Sequence, residues 1–267
     1  HNKMPPSLSF FFFLWVLCPV YADQLNDPVS IARACSVFCH GPILAAIQTA
    51  SPQFFNDSKT FVDMPLAVNP EVALSAFNAN FTHEELQVFL EANFLPVGSD
   101  LVASEPKDWN VEPPFLDRIT NETWRNFAKD LNSIWPELYR EVAPAVFEQP
   151  QRFSLLRRRN GLVLPGGRFR ETYYWDSYWI VRGLLMSGML ETARGVVQNL
   201  LDDVQDFGFV PNGGRVYYTN RSQPPLLALM VKDVVRALAI NASAALNQDQ
   251  QEQQEQAAAA AAAHDLF

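Results

Sequence analysis

The span Pro165–Tyr178, PGGRFRETYYWDSY, sets two arginines, two acids and five aromatic residues behind a Pro-Gly-Gly turn. A core does not have this composition, because buried charges are costly unless paired. A plain solvated surface does not have it either, because so many clustered aromatics leave a sticky patch. A pocket for a polar, flat-faced small molecule needs this mixture: aromatic walls and a few charged hydrogen-bonding groups. Sugars are molecules of that kind. Gly166 and Gly167 let the backbone turn tightly and approach a ligand. From about Glu171 the spacing predicts a helix, with Glu171, Trp175, Tyr178 and Arg182 on one face.

The elements that must hold this span are predicted to be helical. Ser187-Gly188 ends the first helix. The next carries Leu190, Ala193, Val197, Leu200, Leu201 and Val204 on one side, so the two make a helical hairpin. GFVPNGG (208–214) is turn chemistry, RVYYTNRSQ is short and extended or irregular, and Pro224-Pro225 opens a further strong helix. Upstream, residues 39–48 form a short helix. Asn69 caps a helix that begins with Pro70, and Thr82 with Glu85 makes a capping box. Pro96, Pro106, Pro113 and Pro114 mark a long irregular connection over 95–120. Trp124, Phe127, Leu131, Ile134 and Trp135 recur at helical spacing and read as core. Beyond Pro136, Leu138, Val142 and Val146 continue a second helical piece. With no βαβ alternation, the fold class is all-α, built of helical hairpins joined by polar loops.

The bulk numbers narrow the function classes. The chain has 267 residues, 48% of them hydrophobic, and a net charge of −9. An acidic chain without a basic patch is not a nucleic-acid binder. The run Arg157-Arg158-Arg159 reads as a solvated loop or an ion-paired face. Residues 1–22 read as a secretory signal, with an apolar run Leu8–Val20 and a cleavage site at Val20-Tyr21-Ala22; an uncleaved anchor is the alternative. No later apolar run is expected to span a membrane, so the product is expected to be secreted. Residues 23–244 are the domain, and 245–267 form a low-complexity Gln/Ala tail that cannot build a core. Cys35 and Cys39, four apart, either pair locally or remain as free or partner-paired thiols. With His40 the one nearby histidine and no second Cys pair, no metal site is expected. Sequons stand at Asn56, Asn80, Asn121, Asn220 and Asn241.

Pro165, Gly166, Gly167, Arg168, Phe169, Glu171, Tyr173, Trp175, Asp176 and Tyr178 match P-G-G-R-F-x-E-x-Y-x-W-D-x-Y, the signature of trehalases, which the chain resembles over roughly residues 30 to 235. DSKTFVDMPL (57–66) and PNGGRVYYTNRSQPPLL (211–227) are similar to two further motifs of that family. The resemblance implies a secreted animal-type enzyme that hydrolyses α,α-trehalose to glucose with inversion on an (α/α)6 toroid, without a cofactor. The substrate would meet Arg168, Trp175, Asp176, Asn212, Arg221 and Gln223, with Phe169 and Tyr173 shaping the pocket and Ser222 at its mouth. A glycan is therefore expected at Asn56, Asn80, Asn121 and Asn241 but not at Asn220. Glu171 reads as a loop-pinning ion pair. The family's acid and base lie in a Gly-Trp-Asp segment and a later Glu segment, and its second signature is Q-W-D-x-P. None of these occurs here, so the expectation is the N-terminal half of the enzyme, an incomplete toroid with no catalytic acid or base. The alternative is a non-catalytic sugar-binding or decoy fragment made from a truncated transcript.

Overall fold

Asp27 opens the first helix, α1 (Pro28–Phe38). Its Oδ1 accepts from the Ser30 amide at 2.8 Å, and Pro28 supplies the fixed φ of the first turn. The computed structural model describes residues 24–264; the expected signal, residues 1–22, lies outside the described residues. After a turn over 39–41 the chain folds into α2 (Pro42–Phe54), and a disulfide joins Cys35 to Cys39 across the end of α1. Ala34, Val37, Phe38, Ile43 and Ile47 are each no more than 1% exposed. They pack around Phe61, whose ring lies 6.4 Å from that of Phe38 and 5.1 Å from that of Phe94. By length and composition Pro28–Ala50 is apolar enough to cross a membrane, contrary to the expectation for the chain after residue 22. The break between α1 and α2 and the buried inner face give that apolarity a different use, as one layer of this core.

Two helices close the layer, α3 (Pro70–Ala76) and α4 (His83–Asn93). The capping box of α4 is present: Thr82 Oγ1 accepts from the Glu85 amide at 3.2 Å and Glu85 Oε2 from the Thr82 amide at 2.8 Å. Asn69 stands at the cap position of α3, but its side chain does not cap the helix. Its carboxamide oxygen instead accepts from Arg152 Nε at 3.1 Å and Gln151 Nε2 at 3.2 Å.

The middle of the chain departs from the helical expectation. Leu101–Ala103 (β1), Tyr139–Val142 (β2) and Leu162–Val163 (β3) form a small antiparallel sheet in the order β1-β2-β3. Leu101 stands opposite Val142, and Tyr139 opposite Val163. The expected second helical piece is therefore split into α6 (Ile134–Leu138), β2 and α7 (Pro144–Glu148). Pairing with β1 and β3 holds Tyr139–Val142 extended, and Pro144 keeps Ala143 out of the helical region, at φ −61° and ψ 141°, before α7 begins.

The preceding helix, α5 (Glu122–Asn132), is strongly amphipathic, yet Trp124, Phe127 and Leu131 are each at least half exposed. These side chains are not core among the described residues, and Ile134 is 39% exposed. Periodicity identifies an apolar face but says nothing about what covers it. Trp135 alone turns inward, donating from Nε1 to Ser187 Oγ at 3.0 Å.

A second core joins α8 (Tyr174–Met186), α9 (Leu190–Phe207) and α10 (Leu227–His264). Val181, Leu184, Met189, Ala193 and Met230 in it are fully buried. α8 begins at Tyr174, so Glu171 lies on extended chain ahead of the helix and not on its face. Val204 is 38% exposed, at the edge of the face expected for α9. The Gln/Ala run continues α10 as far as His264, in keeping with the strong helix preference of Gln, Glu and Ala.

The three consecutive arginines are an ion-paired face. Arg157 meets Asp27 at 3.0 Å, Arg158 meets Asp203 at 2.7 Å, and Arg159 meets Asp202 at 3.4 Å. The Asp206 carboxylate accepts from the Leu25 amide at 3.0 Å and the Asn26 amide at 2.9 Å, fastening the start of the described chain to the end of α9. Burial pushes the Asp203 carboxyl up to about 6, against the opposing pull of Arg158. Asp203 thus holds a proton more tightly folded than unfolded. Its contribution to stability is full below its ordinary value of 3.8 and is lost as pH rises through about 6. In urea unfolding between about pH 4 and 6.5, Asp203→Asn should flatten the fall in stability that the parent chain shows; an unchanged slope would contradict the assignment. On α5, replacing Trp124 or Phe127 by Gln should change unfolding free energy by no more than about 0.5 kcal/mol. A cost of about 3–5 kcal/mol, as for a buried aromatic, would mean that this face is covered.

Candidate functional site

Gly166 and Gly167 take φ of 97° and 62°, the left-handed region, and the turn they make is closed by the Phe169 amide donating to the Gly166 carbonyl at 3.3 Å. This turn presents Arg168 and Phe169. The Arg168 guanidinium lies 5.7 Å over the Phe169 ring, and its Nε meets Asp57 at 3.2 Å. Phe169 packs edge-on against Tyr173 at 5.4 Å, and Tyr173 against Tyr218 at 5.5 Å. The two tyrosine hydroxyls are 2.9 Å apart. At the far end the Arg221 guanidinium lies 4.9 Å over the Tyr218 ring. The result is an aromatic strip with a guanidinium at each end.

Backbone hydrogen bonds zip the two loops that carry this strip. Gly214 donates to the Thr172 carbonyl at 2.9 Å, Tyr174 to the Asn212 carbonyl at 3.2 Å, and Asn212 to the Arg221 carbonyl at 2.8 Å. The Trp175 amide, in the first turn of α8, donates to Gln223 Oε1 at 2.7 Å. The paired glycines at 213 and 214 are needed here: a Cβ on Gly213 would stand 2.9 Å from the Tyr218 ring, and one on Gly214 2.9 Å from Thr172 Oγ1.

Of the residues expected to meet a sugar, Phe169 and Trp175 are each 41% exposed, Arg168, Arg221 and Ser222 are exposed, and Asp176, Asn212 and Gln223 are half-buried. Tyr173 is buried except at its edge. Burial, with Glu171 and Tyr218 beside it, pushes the Tyr173 phenol well above its ordinary range, so it stays protonated. The Ser222 hydroxyl donates to the Val210 carbonyl at 2.7 Å and so braces the loop. Tyr218 belongs to the strip but was not among the expected site residues; its only sequence signal is its place in the 211–227 motif. Asn56, Asn80, Asn121 and Asn241 are exposed, and so is Asn220, whose Oδ1 accepts from Arg221 at 3.1 Å.

Beneath the strip lies a buried charge network. Arg215 and Glu171 are 0% exposed. Lys59 Nζ meets Asp63 at 2.6 Å and Glu171 at 2.7 Å. Arg215 Nε faces Glu171 at 3.3 Å and Asp63 at 3.4 Å, Nη1 pairs with Asp100 and donates to Ser154 Oγ at 3.0 Å, and Nη2 donates to the Arg170 carbonyl at 2.9 Å. Tyr217 donates to Asp63 Oδ1 at 2.9 Å. Burial pulls Arg215 down, but Asp100 and Asp63 outweigh it and hold the guanidinium above its ordinary value. Burial pushes Asp100 up against the pull of Arg215. Glu171 is thus an ion-pair partner and not a free acid. A cleft of about 280 Å³ opens beside the loop, lined by residues that include Arg140, Gly166, Phe169 and Arg170. A larger hollow of about 490 Å³ between Phe54, His83 and Phe94 carries none of the expected site residues. Among the described residues no group of His, Cys, Asp or Glu is arranged to hold a metal ion.

The sequence model of one family, Trehalase, matches residues 53–265. The chain is 44% identical over 202 residues to the trehalase of Oryctolagus cuniculus, covering 73% of this chain and 35% of that protein. It is 44% identical over 232 residues to the trehalase of Bombyx mori, covering 84% of this chain and 39% of that protein. A probable trehalase of Oryza sativa is 46% identical over 197 residues, 72% of this chain and 35% of that protein. The chain therefore spans a little over a third of the length of these curated relatives. The three motifs that meet at the charge network all fall within this shared region, and the chain belongs to the trehalase family.

Proposed function

We propose that this chain binds α,α-trehalose along the strip from Arg168 to Arg221, as the substrate-contacting part of a trehalose-hydrolysing glycosidase. The observation that carries the proposal is the strip itself: two exposed guanidinium groups bracketing Phe169, Tyr173 and Tyr218, with Trp175, Asp176 and Asn212 on the same joined loops. The chemistry suits a disaccharide. Aromatic faces cover the apolar face of a pyranose. The arginine forks donate to hydroxyl pairs, and Asp176 and Asn212 accept from them.

The same reading assigns no acid or base to these residues. An inverting glycosidase needs two carboxyl groups on opposite sides of the scissile bond, with room for water between them. Glu171, Asp63 and Asp100 are each held by a buried cation, which removes them from that role. Asp176 remains, as a ligand for sugar hydroxyls. This favours binding without cutting by the 267-residue chain alone. We further propose that the protein is secreted, by way of the apolar run Leu8–Val20, with glycans at Asn56, Asn80, Asn121 and Asn241 and none at Asn220, whose sequon overlaps Arg221 and Ser222 at the mouth of the proposed sugar site.

Titration calorimetry with trehalose should register binding, and Asp176→Ala should weaken it about tenfold or more, the loss of a charged hydrogen bond. No glucose should be released. Absence of binding would overturn the sugar site, and measurable turnover would overturn the assignment of Asp176 to binding alone.

A further inference from the structure

Each of the three motifs contributes charges that the strip does not use: Lys59 and Asp63 from the first, Glu171 from the second, Arg215 from the third. Arg215 touches the most segments. Its donors reach Asp63, Asp100, Ser154, the Arg170 carbonyl and Glu171, on four stretches far apart in the chain. Its place in the sequence matters as much. It follows Asn212 by three residues and precedes Tyr218 by three. Glu171 stands between Phe169 and Tyr173. The Glu171–Arg215 contact is therefore the buried ionic link between the two loops that carry the strip, beside the Tyr173–Tyr218 contact within it.

We propose that Arg215 and Glu171 are positioning residues of the sugar site, which fix the distance between the Arg168–Asp176 wall and the Asn212–Gln223 wall. The proposal rests on the sugar-binding reading for its ligand, but the geometric link does not. A purely stabilising role explains the network poorly, because a buried ion pair is often replaced by apolar residues at no cost in stability. What apolar residues cannot supply is direction. The planar fork of Arg215 fixes three carboxylates and a carbonyl at set angles, which a lysine cannot do. Glu171 Oε2 lies at once within reach of Lys59 and Arg215, so it ties the segment around residue 59 to both loops. The carboxylates Asp63, Asp100 and Glu171 outnumber the buried cations Lys59 and Arg215 by one, and Arg170 approaches Asp63 at 4.0 Å from the rim. Loss of the guanidinium would leave three acids facing Lys59 and drive the loops apart.

The test uses the 267-residue chain with Arg215→Lys and, separately, Glu171→Gln. Hydrogen–deuterium exchange should rise in residues 166–176 and 212–223 together in each variant, while α9 keeps its protection. Trehalose affinity should fall about tenfold or more in protein that is still folded by circular dichroism, as expected when a site is misplaced and not unfolded. Exchange that rises only in the substituted loop, or evenly across the chain, would overturn the proposal. So would a folded variant with the parent's affinity. If the parent chain binds no trehalose, the sugar reading fails and the exchange arm alone decides whether the loops are linked. Tyr217→Phe, which removes one hydrogen bond to Asp63, gives a milder version of the same test should the other variants not fold.

Discussion

A guanidinium with no exposed surface sits where the loops of this protein meet. Taking such a charge out of water costs several kcal/mol, and only well-placed partners repay it. For Arg215 those partners come from residues 63, 100, 154, 170 and 171. Val216 beside Arg215 and Leu155 beside Ser154 belong to two separate apolar clusters, and Tyr174, three residues after Glu171, belongs to a third. The network therefore sits where these clusters come together. Apolar contacts within each cluster tolerate sliding. The directional contacts of Arg215 do not, and they favour the arrangement of the clusters that brings Asp63, Asp100, Glu171, Ser154 and the Arg170 carbonyl to its nitrogens at once.

The surface above inherits that arrangement. The disaccharide proposed as its ligand offers hydroxyls all round and little apolar area, so affinity would depend on groups held in place before it arrives. Here backbone hydrogen bonds join the loops at Thr172–Gly214 and Tyr174–Asn212, Gln223 holds the first turn of α8, and edge-on ring contacts run from Phe169 through Tyr173 to Tyr218. Arg168 and Arg221 are the exposed ends of this assembly. Charge below and aromatic surface above are thus two sides of the same pair of loops.

Much of this was legible in the sequence. The capping box at Thr82 and the hairpin of α8 and α9 followed from local rules, the glycine pairs marked turns, and the aromatic and charged residues of 165–178 gather with those of 212–223 on two joined loops. The failures have physical causes. Trp124, Phe127 and Leu131 repeat at helical spacing, but spacing cannot tell a covered face from an open one. Val142 and Val146 continue the period of α6, but pairing of Tyr139–Val142 with two remote strands overrode it, a tertiary term invisible locally. Glu171 was legible as an ion pair, yet its partners Lys59 and Arg215 lie 112 and 44 residues away. Of the two readings of Arg157, Arg158 and Arg159, solvated loop or ion-paired face, the structure has the second; their partners Asp27, Asp203 and Asp202 lie far off in the chain, so the burial of Arg158 against Asp203 has its cause outside the run.

One joined surface, ordered from below, is proposed to take the sugar. The most direct measurement is a nuclear magnetic resonance titration of the tryptophan indole signals with trehalose. The Trp175 indole is expected to shift, while Trp109 and Trp135, whose indoles donate to the Asn132 carbonyl and Ser187 Oγ, stay fixed along with Trp124 on α5. A shift at Trp124 with Trp175 unmoved would contradict the proposal.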